Sequence, residues 1–173
     1  RAKPRCSGIA LCHYITYWPD MKWGIVDNYQ QPKRSYGYVK RAYQPLLVNL
    51  EFDRRRWKKG ETFAAQVWIV NDTYEAYRNC RVKLSIDNED DVLLYDQGMD
   101  VAKIDPDSSV SLAGIHWDIA GQVEKQFQVN LSLVDEDGIE ISSNRYMLLI
   151  GDQAEARERM KAMGEERGLA NSN

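Results

Sequence analysis

The 173-residue sequence has no long hydrophobic run, little cysteine and no excess of either charge. Each shortage excludes a class of protein. No apolar stretch approaches the roughly 20 residues that a membrane-spanning helix needs, so no membrane is expected as a partner. The 23 basic and 26 acidic residues leave a formal net charge of -3, which gives no electrostatic reason to expect nucleic acid. Cys6, Cys12 and Cys80 are an odd set without metal-type spacing. If Cys6 and Cys12 share a strand they lie about 20 Å apart, far beyond disulfide reach, so unpaired structural cysteines are expected. His13 and His116 lie far apart in sequence and suggest neither a metal site nor a triad. No cofactor and no metal are expected. A complete (β/α)₈ barrel takes about 250 residues, so none fits here.

What is present reads as globular protein, with 43% hydrophobic and 28% charged residues. Residues 8 to 14 (Gly-Ile-Ala-Leu-Cys-His-Tyr) form a nearly continuous apolar run, the pattern of a strand buried on both faces. An aromatic, Pro-containing loop follows. Pro32 suits the first turn of a helix, with Tyr36, Val39 and Tyr43 on one face and Lys33, Lys40 and Arg41 on the other. Pro45 ends it. From Leu46 the texture changes to short runs with period-two alternation: 46–52, 63–70, 80–86, 92–95, 109–115, 126–134 and 145–150, the last with Ile139 and Ile141 beginning the same strand. Phe63, Ala65, Val67 and Ile69 fall on one face, as do Cys80, Val82, Leu84 and Ile86, and Phe127, Val129, Leu131 and Leu133. Turn residues such as Lys59-Gly60, Asp105-Pro106-Asp107 and Asp137-Gly138 separate the runs. About seven short strands in roughly 100 residues predict an immunoglobulin-like β-sandwich. After Gly151 the chain is charged, and Ala156, Met160 and Met163 make a thin apolar stripe on a short helix.

One strand with one helix behind it cannot bury both its faces, so its sheet should lie elsewhere. The run Trp18-Pro19, Trp23, Asp27, Tyr29 and Pro32-Lys33 resembles the last strand, loop and helix of the catalytic barrel in glycoside hydrolase family 2, of the β-mannosidase and exo-β-glucosaminidase kind. Lys59-Gly60-Glu61-Thr62-Phe63 and Ile69-Val70-Asn71-Asp72 resemble the first hairpin of that family's sandwich domain. Val134-Asp135-Glu136-Asp137-Gly138 and Ser143-Asn144-Arg145-Tyr146 resemble its last. The resemblance implies a mainly β chain in three parts. Residues 1–45 would be the C-terminal remnant of a (β/α)₈ barrel, 46–150 an immunoglobulin-like sandwich, and 151–173 a charged helical or mobile tail. It implies a parent that hydrolyses a β-linked carbohydrate with retention, in a secreted or periplasmic setting. The chain departs from the pattern at Cys12-His13 and Ile15-Thr16, where the family carries Trp-Gln and Asn-Asp pairs that line or support the sugar pocket.

Retaining glycosidases need two carboxylates about 5–5.5 Å apart. The resemblance places both on earlier barrel strands, so this chain should have no catalytic residues of its own. Trp18, Trp23 and Asp27 are the candidate substrate-binding residues. An indole face can pack on a pyranose ring, though large aromatics also wedge loops against their neighbours. A loop Asp is first a local hydrogen-bonding residue. Arg54-Arg55-Arg56-Trp57-Lys58-Lys59 could contact phosphates and stack a base, but in an acidic chain it reads as a solvated turn. The acidic runs at 88–91 and 135–138 lack calcium-loop spacing. Asn71-Asp72-Thr73 and Asn130-Leu131-Ser132 fit the N-glycosylation pattern. The alternative reading is a stand-alone sandwich module that binds carbohydrate or protein through an aromatic face built from Trp68, Trp117 or Tyr95. An exposed apolar strand is a template for association. Residues 8–14 and the Tyr36/Val39/Tyr43 face should therefore be covered by the sandwich, by the remainder of the barrel or, first, by a second copy of the chain.

Overall fold

The computed structural model describes residues 9–19, 23–119, 121–152, 154–156, 158 and 161–163. Helix α1 (Arg34–Ala42) precedes the strands β1 (Leu46–Glu51), β2 (Arg56–Trp57), β3 (Thr62–Asn71), β4 (Tyr77–Asn88), β5 (Leu93–Ile104), β6 (Ser108–Asp118), β7 (Gln126–Val134) and β8 (Glu140–Ile150). They form a three-stranded sheet in the order β1-β3-β6 and a five-stranded sheet in the order β2-β8-β7-β4-β5. All pairs are antiparallel except β2 with β8. The chain is thus mainly β, an immunoglobulin-like sandwich preceded by the loop and helix expected of a barrel remnant and followed by helical residues at 154–156, 158 and 161–163.

Period-two alternation decides what is buried. Phe63, Val67 and Ile69 on β3 face Val82, Leu84 and Ile86 on β4 and Phe127, Val129 and Leu131 on β7, all within the core. One end of the sandwich is aromatic. Phe63 meets Trp57 at 5.3 Å and Phe127 at 5.5 Å, and Trp117 meets Phe127 at 5.3 Å, each edge to face. That geometry suits the ring quadrupoles and adds about 0.5–1.5 kcal/mol per pair beyond area burial.

Among the described residues no strand lies beside the outer edge of β1. Its backbone is met instead by three side chains of β8 spaced two apart. Ser142 Oγ accepts from Val48 N–H at 3.2 Å, Asn144 Nδ2 donates to the Val48 carbonyl at 3.2 Å, and Tyr146 Oη accepts from Leu50 N–H at 3.2 Å. A bare edge would template pairing with another chain. Here the facing sheet closes it.

Four expectations need correction. Residues 9–14 form no strand; Gly8 lies outside the described residues. With no neighbouring strand among the described residues to pair with, the Tyr14 carbonyl instead accepts from Ile25 and Val26 N–H, at 3.0 Å each, and Ile15 makes an isolated bridge to Val26. The helix begins at Arg34 rather than Pro32, because Lys33 is held extended by its N–H bond to the Ile25 carbonyl at 2.9 Å. Trp57, read as part of a solvated turn, is only 3% exposed and belongs to β2. The short strand at 92–95 runs on to Ile104. Met160 of the tail stripe lies outside the described residues, and Met163 is exposed.

Candidate functional site

The loop between residues 14 and 33 is tied by its own backbone. Thr16 N–H donates to the Val26 carbonyl at 2.8 Å, and Asp27 N–H to the Gln31 carbonyl at 2.9 Å. Thr16 is buried, and its hydroxyl hydrogen-bonds to the Trp23 carbonyl. Lys33 Nζ donates to the same hydroxyl at 2.7 Å and the same carbonyl at 3.0 Å. Gly24 has φ of +84°, and a Cβ there would lie 2.9 Å from the Ile15 carbonyl carbon and from Thr16 N, so only glycine fits the crossing. Ile25 and Val26 are buried beneath.

This frame presents aromatics outward. Trp18 is 66% exposed and Trp23 63%. Tyr17 and Tyr29 are exposed beside them in sequence. Trp23 meets the His13 ring edge to face at 5.0 Å, which fixes the indole from behind. Asp27 Oδ1 accepts from Tyr29 N–H at 2.9 Å and Gln31 N–H at 2.8 Å, shaping the turn that carries Tyr29. Hydrogen bonding with Tyr36 pushes the Tyr14 phenol above its ordinary value, and the two rings meet edge to face at 6.5 Å. Trp18, Trp23 and Asp27 therefore sit on one self-bonded loop. The residues at the departing positions serve that loop: His13 packs on Trp23, and Thr16 holds the Trp23 carbonyl. Thr16 stands out in the sequence only as a departure from the family pattern, and Gly24 carries no signal there of the crossing it permits.

The other sequence candidates do not converge on a site. Trp57 is buried, with its Nε1 donating to the Arg54 carbonyl at 3.0 Å and the Arg54 guanidinium over its ring at 4.3 Å. It has no free face for a base. Trp117 is 8% exposed in the core, and Trp68 donates its Nε1 to Glu51 at 2.8 Å. The aromatic face required by a stand-alone glycan-binding sandwich therefore loses Trp117. Asn71 is fully buried, its amide donating to the Glu75 and Asp105 carbonyls at 2.8 and 2.9 Å, which closes that glycosylation sequence to modification. Asn130 donates to Asp87 at 2.6 Å. Among the described residues no group of three or more His, Cys, Asp and Glu side chains is placed to hold a metal ion. No helix among them is long and apolar enough to cross a membrane.

Two grooves flank the sandwich. One of about 760 Å³ lies over the polar outer face of the five-stranded sheet, with Lys83, Ser85, Asn130 and Ser132 on its floor. The other, of about 960 Å³, runs between α1 and the β1/β8 flank of the sandwich.

No family model matches the chain. It is 24% identical over 147 residues to an exo-β-D-glucosaminidase of Streptomyces avermitilis, a match covering 85% of this chain and 15% of that protein. It is 27% identical over 71 residues to β-mannosidase B of Emericella nidulans, covering 38% and 8% respectively. The crystal structure of an exo-chitosanase from Amycolatopsis orientalis superposes on 78% of this chain and 15% of its own, with a TM-score of 0.64 and 19% identity. The chain spans about one seventh of the glucosaminidase it matches. It is distantly similar to glycosidases over part of its own length and a small part of theirs.

Proposed function

We propose that this chain is the C-terminal region of a retaining β-glycoside hydrolase of family 2, of the β-mannosidase and exo-β-glucosaminidase kind. In this reading residues 1–45 close the catalytic barrel, 46–150 form the accessory sandwich that supports it, and 151–173 are its tail. The observation that carries the proposal is the length of the glucosaminidase match. At 147 residues it is longer than the sandwich and tail together, so it reaches back into residues 1–45 far enough to take in the helix as well. The exposed indoles of Trp18 and Trp23 are the groups proposed to face the sugar, because an aromatic face packs on the apolar face of a pyranose. Asp27 supports them by holding the turn at Tyr29. A secreted or periplasmic setting belongs to the same reading.

The mechanism assigns chemistry and support to different places. The acid/base and nucleophile carboxylates of a retaining enzyme must stand about 5–5.5 Å apart across the scissile bond, and in this reading both come from the barrel. This chain supplies binding surface and a rigid seat. The isolated chain is therefore inactive. Incubation with nitrophenyl β-mannoside, β-glucosaminide and β-galactoside tests this directly: no release above blank is expected, and enzyme-dependent turnover would overturn the proposal.

A further inference from the structure

Helix α1 and the β1/β8 flank enclose a groove of about 960 Å³ whose walls are both apolar and cationic. Arg41 enters from α1, Arg55 from the segment before β2, and Arg145 from β8. None of the three guanidinium groups is hydrogen-bonded or ion-paired to a carboxylate among the described residues, whereas Arg54, Lys58, Arg81 and Lys103 each have one. Glu51 also lines the groove, with one carboxylate oxygen accepting from Trp68 Nε1 at 2.8 Å. Asp72 lines it too, so the three arginines exceed the acids of the lining by one charge. Burial pushes the Tyr146 phenol above its ordinary value, and the nearby charges of Arg55 and Arg41 oppose that rise without reversing it, so both arginines stand close to the groove wall.

Apolar side chains line the rest. Ile9, Tyr38 and Met147 are 65%, 73% and 56% exposed, and all three belong to this groove, as does Tyr43. A purely anionic glycan would meet the arginines and leave Ile9 and Met147 facing its hydroxyls. A purely apolar occupant would bury three unpaired cations, which is costly without partners. Arginine and tyrosine around an apolar centre are the composition of a protein-recognition hot spot. We infer that this groove docks a polypeptide segment that carries carboxylates opposite Arg41, Arg55 and Arg145 and apolar side chains between them. Paired guanidinium–carboxylate bonds would fix the register of that segment, and its apolar residues would cover Ile9, Tyr38 and Met147. The glycosidase reading is not required for this, and its failure would leave the groove chemistry unchanged.

A random twelve-residue peptide library displayed on phage, selected against the 173-residue chain, supplies the probe. Enriched peptides should carry two or more Asp or Glu interleaved with Leu, Ile or Phe. Their affinity, followed by fluorescence anisotropy, should fall about tenfold or more on the single change Arg145→Glu or Arg41→Glu. It should fall further in the triple variant Arg41→Glu/Arg55→Glu/Arg145→Glu. Peptides with their acids changed to lysine should regain binding to that triple variant, which shows that it is folded and that charge pairing is the contact. The glutamine series, Arg41→Gln, Arg55→Gln and Arg145→Gln, gives the same test without added repulsion. Selected peptides with no acidic enrichment, or affinities indifferent to all of these changes, would overturn the inference. So would displacement of the best peptide by a sulfated oligosaccharide of equal affinity, which would assign the groove to an anionic glycan instead.

Discussion

Tyr146 carries more of the fold than its place in a polar stretch suggests. Its oxygen accepts from Leu50 N–H at 3.2 Å and from Asn144 Nδ2 at 2.9 Å, and its ring meets Phe52 edge to face at 5.5 Å. Burial pushes its phenol above the ordinary value. The neutral form is thus favoured in the folded state, and this contribution is present below the unfolded value of about 10 and lost as pH rises through the folded one. Tyr146→Phe keeps the ring and leaves the Leu50 N–H at an uncovered strand edge. The expected cost is about 1–3 kcal/mol, seen as a lower urea midpoint with an unchanged slope. An unchanged midpoint would mean that the β1 edge does not depend on β8. Ser142 and Asn144 act in the same row, and their spacing of two was visible in the sequence. What was not visible is that the row faces a strand of the other sheet, because alternation shows which residues share a face but not what lies opposite.

At the scale of elements, the sequence was legible wherever burial alternated without interruption. The strands at 80–86 and 126–134 were placed with their inward residues in full, since Val82, Leu84, Val129 and Leu131 alternate with polar neighbours. β5 was read only at its start, because Asp96, Gln97, Gly98 and Asp100 break the pattern although Met99, Val101 and Ile104 still point inward. Gly98 leaves room for the Arg81 guanidinium, the far end of a flexible side chain, which lies across it and reaches Asp100 at 2.7 Å. β2 was missed because two residues inside a basic run carry no periodicity. The connection before β7 is pinned by Glu89, whose carboxylate accepts from Glu124 N–H at 3.1 Å and Lys125 N–H at 3.0 Å. Its own backbone N–H, with those of Lys125 and Glu124, holds that carboxyl below its usual range. A depressed folded value gives stability that is present above the unfolded value of about 4.3 and lost as pH falls through the folded one. Glu89→Gln should therefore flatten the acid limb of the stability profile, measured by thermal melts between pH 6 and pH 2. Parallel wild-type and variant profiles would show that the loop does not rely on the charge.

On the scale of the whole molecule, the two parts differ in how they treat apolar surface. The sandwich encloses its own, down to fully buried Phe63, Phe127 and Leu148. The segment before it leaves Ile9, Leu11, Tyr14 and Ile15 exposed, and α1 has no buried residue at all. The expectation that the sandwich would cover this run is not met: Ile9 stays exposed, and its carbonyl accepts from the hydroxyl of Tyr43, a residue of the same N-terminal part, at 3.1 Å. Full burial of a side chain such as Leu11 or Ile15 is worth about 1.5–3 kcal/mol, so the isolated chain should associate through this segment. Static light scattering should report a dimer or larger species that dissociates when residues 1–45 are removed. A monomer whose residues 9–15 resist protease would contradict that expectation.

The proposed function requires that this segment continue a barrel. The most direct test is to express the natural reading frame that contains these residues and follow its action on nitrophenyl β-D-glucosaminide and β-D-mannoside by proton NMR of the anomeric signal. The first-formed sugar should keep the β configuration. A product with no barrel preceding residue 1, no hydrolysis of either glycoside, or an α anomer formed first would contradict it.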